Sequence, residues 1–183
     1  MSKAGDCTVH RWAGWIASAV HRLREPAVFP VKQAAAEFLD QKRIAVTGVS
    51  RSPKDHGANV VYKRLRGRGY TVFAINPNAD EVEGDHCFHD LASVTGGVEG
   101  VVIGTSPENA EVTMRQCVDL GIGHVWMHRG PGGGSVSEEA TRFGRENGVT
   151  VIDGGCPCMF NPTADTGHMV MHMLGMGHMP RRV

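Results

Sequence analysis

The chain has 183 residues, 41% hydrophobic and 21% charged, which suits one ordinary domain plus a modest extension and excludes a compositionally disordered chain. Lysine plus arginine balances aspartate plus glutamate at 19 each, so no global charge draws it to nucleic acid or to an acidic membrane. Its five cysteines are odd in number and irregular in spacing, unlike a secreted disulfide framework; with no apolar run near the ~20 residues that span a bilayer and no apolar signal-peptide core, the expectation is a cytoplasmic protein.

Residues 1–30 read as an N-terminal extension. Trp12, Trp15, Ile16, Ala19, Val20 and Leu23 recur at helical spacing among basic residues and histidines, the pattern of a short amphipathic helix that packs on the domain or on a partner subunit; a membrane-surface role is the alternative. Pro26 and Pro30 break the chain, and residues 31–41 are again helical. Arg43–Gly48 is a strand rich in branched residues. Ala58, Val61, Tyr62 and Leu65 share one face of a helix over residues 56–68, which Gly69 ends, and Thr71–Ile75 is a second strand cut off by Asn76 and Pro77. Strand, helix and strand within about 30 residues make a βαβ unit with a right-handed crossover.

The alternation continues. Gly100–Gly104 is a strand, and Pro107 opens a helix that closes at Leu120 and Gly121 with Ala110, Met114, Cys117 and Val118 facing inward. His124–Met127 is a strand, a glycine-rich turn leads to a helix near residues 137–147, and Val149–Ile152 is the last clear strand. Near-continuous apolar strands alternating with helices predict an α/β fold, a Rossmann-like doubly wound parallel sheet in a single domain over residues 31–165, with a His/Met-rich tail over 166–183.

In such sheets ligands sit beyond the carboxyl ends of the strands, where strand order reverses, and the first strand flanks that point. Its exit loop is Gly48-Val49-Ser50-Arg51-Ser52-Pro53-Lys54. Gly48 permits a sharp turn and close backbone approach, the following helix start offers free N–H groups, Ser50 and Ser52 add hydroxyls, and Arg51 and Lys54 add charge. A phosphate-bearing ligand is the natural guest; a generic strand-to-helix turn is the plainer reading. The dinucleotide fingerprint G-x-G-x-x-G is absent, and the second strand ends at Asn76-Pro77-Asn78 where an NAD site expects an acidic residue.

Taken together, Gly48-Val49-Ser50, Gly69-Tyr70-Thr71-Val72, Ile75-Asn76-Pro77, Thr105-Ser106-Pro107-Glu108, the run Val125–Gly130 and Cys156-Pro157 resemble, in order and spacing, the CoA-binding domain family, whose fold is similar to the nucleotide-binding domain of the succinyl-CoA synthetase α-subunit. The resemblance covers about residues 31–165. It implies coenzyme A as the ligand, with Gly48, Val49, Ser50 and Ser52 meeting its phosphates, Asn76 and Pro77 lining the nucleotide portion, and Thr105, Ser106 and Pro107 running along the ligand. The synthetase carries its phosphorylated histidine in a further domain, and only about 30 residues follow Ile152, so the expectation is a non-catalytic binder of CoA or an acyl-CoA with no catalytic residue assigned. An NAD(P)-dependent oxidoreductase and a CoA-sensing regulatory or assembly subunit are the alternatives.

Three further features stand out. Ser135 and Glu138, after the glycine-rich stretch Gly130–Gly134, have capping-box spacing, while the stretch itself resembles a second phosphate cradle. Cys156 and Cys158 follow the last strand, and three readings stay open: structural thiols, a redox pair, or a mixed disulfide with the thiol of CoA. His168 and His172 share a helical face in a methionine-rich tail, expected to pack on the domain or on the partner of a homodimer, and no metal ligand set is assigned.

Overall fold

The computed structural model describes residues 30–52, 57–130, 133–173 and 183. The amphipathic N-terminal stretch up to Leu23, Pro53 and Lys54 lie outside the described residues. In chain order the elements are α1 (Val31–Asp40), β1 (Arg43–Thr47), α2 (Gly57–Gly67), β2 (Thr71–Ile75), β3 (Glu81–Val82), β4 (Asp85–Phe88), β5 (Gly100–Ile103), α3 (Pro107–Asp119), β6 (His124–Met127), β7 (Arg129–Gly130), β8 (Gly133–Gly134), α4 (Glu138–Glu146), β9 (Thr150–Asp153), a 3-10 turn (Pro157–Met159) and α5 (Thr166–Met173).

Seven strands form one sheet in the order β3-β4-β2-β1-β5-β6-β9. Every neighbouring pair is parallel except β3 and β4. Numbered among themselves, the parallel strands run 3-2-1-4-5-6, the Rossmann order, with the reversal between β1 and β5. The period-two alternation of β residues separates two cores. Ile44, Val46, Val102, Trp126 and Ile152 face α1 and α2. Ala45, Val101, Ile103, Val125, Met127 and Val151 face α3 and α4. Both faces are therefore covered, which is why these strands read as unbroken apolar runs.

Local chemistry sets the helix ends. α1 starts on Pro30 and buries Ala34, Ala35, Phe38 and Leu39, with the Phe38 ring edge-on to Trp126 at 5.5 Å. At the end of α2, Tyr70 N–H bonds the Leu65 carbonyl and Gly69 N–H that of Arg66, a Schellman closure. Pro107 follows Ser106 as the first helical residue of α3.

Two features differ from the sequence expectation. The α4 cap is Ser137, not Ser135: its Oγ accepts from Ala140 N–H at 3.1 Å. Pairing of β7 with β8 draws Ser135 into an extended path, where its N–H donates to the His128 carbonyl, so Glu138 falls on the first helical position instead of the third. The β3–β4 hairpin is the second difference. Its strands are short and polar, and its turn uses Glu83 (φ 51°) and Gly84 (φ 79°), a two-residue hairpin with an unusual first residue. No helix among the described residues is long and apolar enough to cross a membrane.

Candidate functional site

The order reversal puts the carboxyl ends of β1 and β5 side by side. Gly48 and Gly104 sit there with their backbones nearly touching. A Cβ on Gly48, whose φ is +76°, would lie 2.5 Å from the Gly104 carbonyl oxygen; a Cβ on Gly104 would lie 2.6 Å from that of Ala58 and 2.7 Å from the Thr47 oxygen. Two adjacent side-chain-free positions open a crevice whose floor is main chain, the form that a diphosphate needs.

The loop after β1 is held from three sides. Gly48 N–H donates to the Ile75 carbonyl at 3.1 Å. Val49 is buried, and its carbonyl accepts from Asn76 Nδ2 at 2.8 Å. Ser50 is bracketed by Asn59, which accepts its N–H through Oδ1 and donates Nδ2 to its carbonyl, each at 2.8 Å. Ser50 Oγ accepts the Ser52 N–H at 3.1 Å, which leaves the hydroxyl hydrogen for another acceptor. The amides of Val49 and Arg51 have no partner among the described residues, and the Arg51 side chain is exposed.

The exit of β5 completes the crevice. The Thr105 hydroxyl oxygen is buried without a hydrogen-bond partner among the described residues. A buried hydroxyl is normally satisfied, so an orphan beside Gly48 marks a place for an acceptor or donor from a ligand. Ser106 flanks the start of α3, its Oγ accepting from Asn109 Nδ2 at 3.3 Å. Asn76 is occupied structurally: it ties Val49 and accepts Asn78 N–H at 2.9 Å, while Pro77 is exposed beside it. The structure thus brings Gly48, Val49, Ser50, Arg51, Ser52, Asn76, Thr105, Ser106 and Pro107 to one sheet edge, with Pro77 at its margin.

Three residues of this edge were without a role in the sequence. Asn59 is fully buried on α2 and also donates to Glu83 Oε1 at 2.8 Å. Its signal is an amide beside the apolar positions Ala58, Val61 and Tyr62. Glu83 is held below the ordinary carboxylate range by the Asn59 amide and, after it, by Lys63 at 3.4 Å. His128 follows β6 and lies against the first turn of α2, its Cε1 2.5 Å from where a Gly57 Cβ would be.

Burial, and then the charge of His168, push the His128 imidazole down to about 4. An ordinary histidine in the unfolded chain takes its proton near 6.5, so the unfolded state binds more protons below that pH. The stabilisation is present above 6.5 and is lost as pH falls toward 4, by about 3 kcal/mol in all. We expect His128→Asn to flatten the stability–pH slope over that window, read by urea unfolding at several pH values. An unchanged slope would contradict the buried neutral imidazole.

Comparison with known proteins gives a consistent picture. Residues 42–162 match the family described as CoA binding domain. The YneT protein of Bacillus subtilis is 30% identical over 128 residues, which cover 69% of this chain and 91% of that one. The α subunit of acetate–CoA ligase [ADP-forming] II from Pyrococcus furiosus is 23% identical over 134 residues, 70% of this chain and 29% of the subunit. Among solved structures, a hypothetical protein from Pyrococcus horikoshii OT3 superposes with a TM-score of 0.62 at 27% identity, covering 70% of this chain and 86% of that one.

Proposed function

The chain belongs to the CoA binding domain family, and from that membership we propose that it binds coenzyme A, free or as an acyl thioester, in the crevice over Gly48 and Gly104. The observation that carries the reading is the side-chain-free floor at the order reversal, flanked by the amides of Val49 and Arg51 and the Thr105 hydroxyl, which have no partner among the described residues. In this reading the diphosphate takes the β1 exit loop, with the Ser50 hydroxyl donating to it and the Arg51 charge nearby. The unmatched dinucleotide fingerprint, and Asn76 committed to Val49 and Asn78, favour CoA over NAD.

The role proposed is binding, not acyl transfer. The YneT relative is matched over 91% of its length and the ligase subunit over 29%, so the shared region is the CoA-binding fold and the proposal for it is confined to binding. Titration calorimetry should show saturable binding of CoA, with NADH competing poorly. Ser50→Ala should weaken binding by about ten-fold, the loss of one hydrogen bond to a charged group. NADH binding more tightly than CoA would overturn the reading in favour of a dinucleotide enzyme.

A further inference from the structure

After β9, Gly154 and Gly155 turn the chain into the 3-10 turn, placing Cys156 and Cys158 on either side of Pro157. Both thiols are enclosed, with 3% and 0% of their residues' surface exposed. Thr163, also buried, donates to the Pro157 and Phe160 carbonyls and folds the following segment back over the turn. Asp165 then begins α5, its Oδ1 accepting the His168 N–H at 2.9 Å. His168 thereby returns to the cysteines: a ring nitrogen and the two sulfurs all lie within 4.8 Å of one another.

The surroundings of His168 add an independent observation. Asp165 Oδ2 takes its Nδ1 at 2.7 Å and also pairs with Arg64 of α2 at 2.5 Å. A carboxylate on Nδ1 leaves Nε2 as the free ring donor and fixes the ring's orientation, the outer-shell arrangement typical of metal-bound histidines. The sequence offered His172 as the companion of His168; the partners that the fold supplies are thiols.

We propose that Cys156, Cys158 and His168 bind a zinc ion, with Asp165 as the positioning residue and a fourth position for water or a ligand atom. Two cysteines and one histidine with an open fourth position is a known zinc donor set, and its thiolates and imidazole favour zinc over hard cations such as magnesium. Charge balances in the enclosed site: two thiolates neutralise Zn²⁺, the imidazole is neutral, and Arg64 offsets Asp165. Binding converts two thiols and Zn²⁺ into two zinc–sulfur bonds and two released protons, with no change of oxidation state. Bonds of about 2.3 Å to sulfur and 2.0 Å to nitrogen draw the three donors inward by up to about an ångström. This site is independent of the CoA reading, and either can fail without the other.

The test is a Co²⁺ titration of the reduced, tag-free full chain under nitrogen. The expected result is a near-ultraviolet thiolate-to-cobalt charge-transfer band with visible ligand-field bands, saturating at a single equivalent and displaced by Zn²⁺. Imidazoles of the His-rich tail alone give no such charge-transfer band, so the signal separates the two sources. Cys158→Ser and His168→Ala should abolish the tetrahedral spectrum, and Asp165→Asn should weaken affinity by about 10- to 100-fold. Cys117→Ser, on the opposite face of the sheet, should leave it intact. No thiolate band in the folded wild-type chain, or a band that survives in Cys158→Ser, overturns the proposal. Should a variant fail to fold, the wild-type spectrum decides alone: a charge-transfer intensity of two thiolates at one equivalent of Co²⁺ decides in its favour, and that of one thiolate or none decides against it.

Discussion

Gly48→Val is expected to destabilise the protein by roughly 3–5 kcal/mol, a large share of the roughly 5–15 kcal/mol that holds an ordinary domain folded. Two penalties combine. The backbone at Gly48 has φ +76°, a region that a β-branched residue enters only at a cost of order 1–3 kcal/mol. The new Cβ would also stand 2.5 Å from the Gly104 carbonyl oxygen and 2.7 Å from its carbon. Those atoms belong to main chain directly after β5, whose register with β1 is fixed, so they cannot retreat as a flexible side chain would. Gly104→Ala meets the same wall from the other side, against Ala58 and Thr47. Urea unfolding without ligand is the measurement. A loss below about 1 kcal/mol for both variants would mean that the strand ends part easily and that the crevice floor is not the tight backbone contact described.

Asn59→Asp is the second large effect, and its physics is different. The amide accepts Ser50 N–H and donates to both the Ser50 carbonyl and Glu83 Oε1. An aspartate keeps the shape and the acceptor but donates nothing, so the Ser50 carbonyl loses its partner and two carboxylates face each other around a fully buried position. A loss of roughly 3–5 kcal/mol follows if the substituted group stays charged, less if it takes a proton. Acidification should therefore recover part of the stability relative to wild type, because protonation restores a donor and removes the repulsion. Asn59→Asp as stable as wild type at neutral pH would show that Ser50 is not held by this residue.

The contrast between these positions explains what could be read from the chain. The strands at Ile44–Val46, Val101–Ile103 and Trp126–Met127 are apolar on both sides because helices cover both faces of the sheet, so pattern alone places them and, with them, the loops at their ends. Gly48 and Thr105 follow directly from that placement. Asn59 does not, since one amide in a helix carries no sign that it will bracket a loop nine residues earlier. The β3–β4 hairpin escapes for another reason: Glu81, Asp85 and His86 give no apolar alternation, and the turn has Glu83 where Asn or Gly is usual. Ser135 looked like a cap on spacing alone, but its backbone pairs with His128 and the helix waits for Ser137. The thiol–imidazole cluster is the clearest case of information held only in three dimensions, as His168 meets Cys156 through a turn and a cap that no spacing rule describes.

CoA bound at the reversal of strand order would change the surroundings of the amides that line it, and amide NMR during a CoA titration reads those amides one by one. Shift changes are expected to concentrate at Gly48–Ser52, Asn76, Thr105 and Ser106, with Val49 and Arg51 N–H, which have no partner among the described residues, moving most. Saturating binding that leaves these amides unmoved, or that shifts only the paired strands Arg129–Gly130 and Gly133–Gly134, would contradict CoA binding at that reversal.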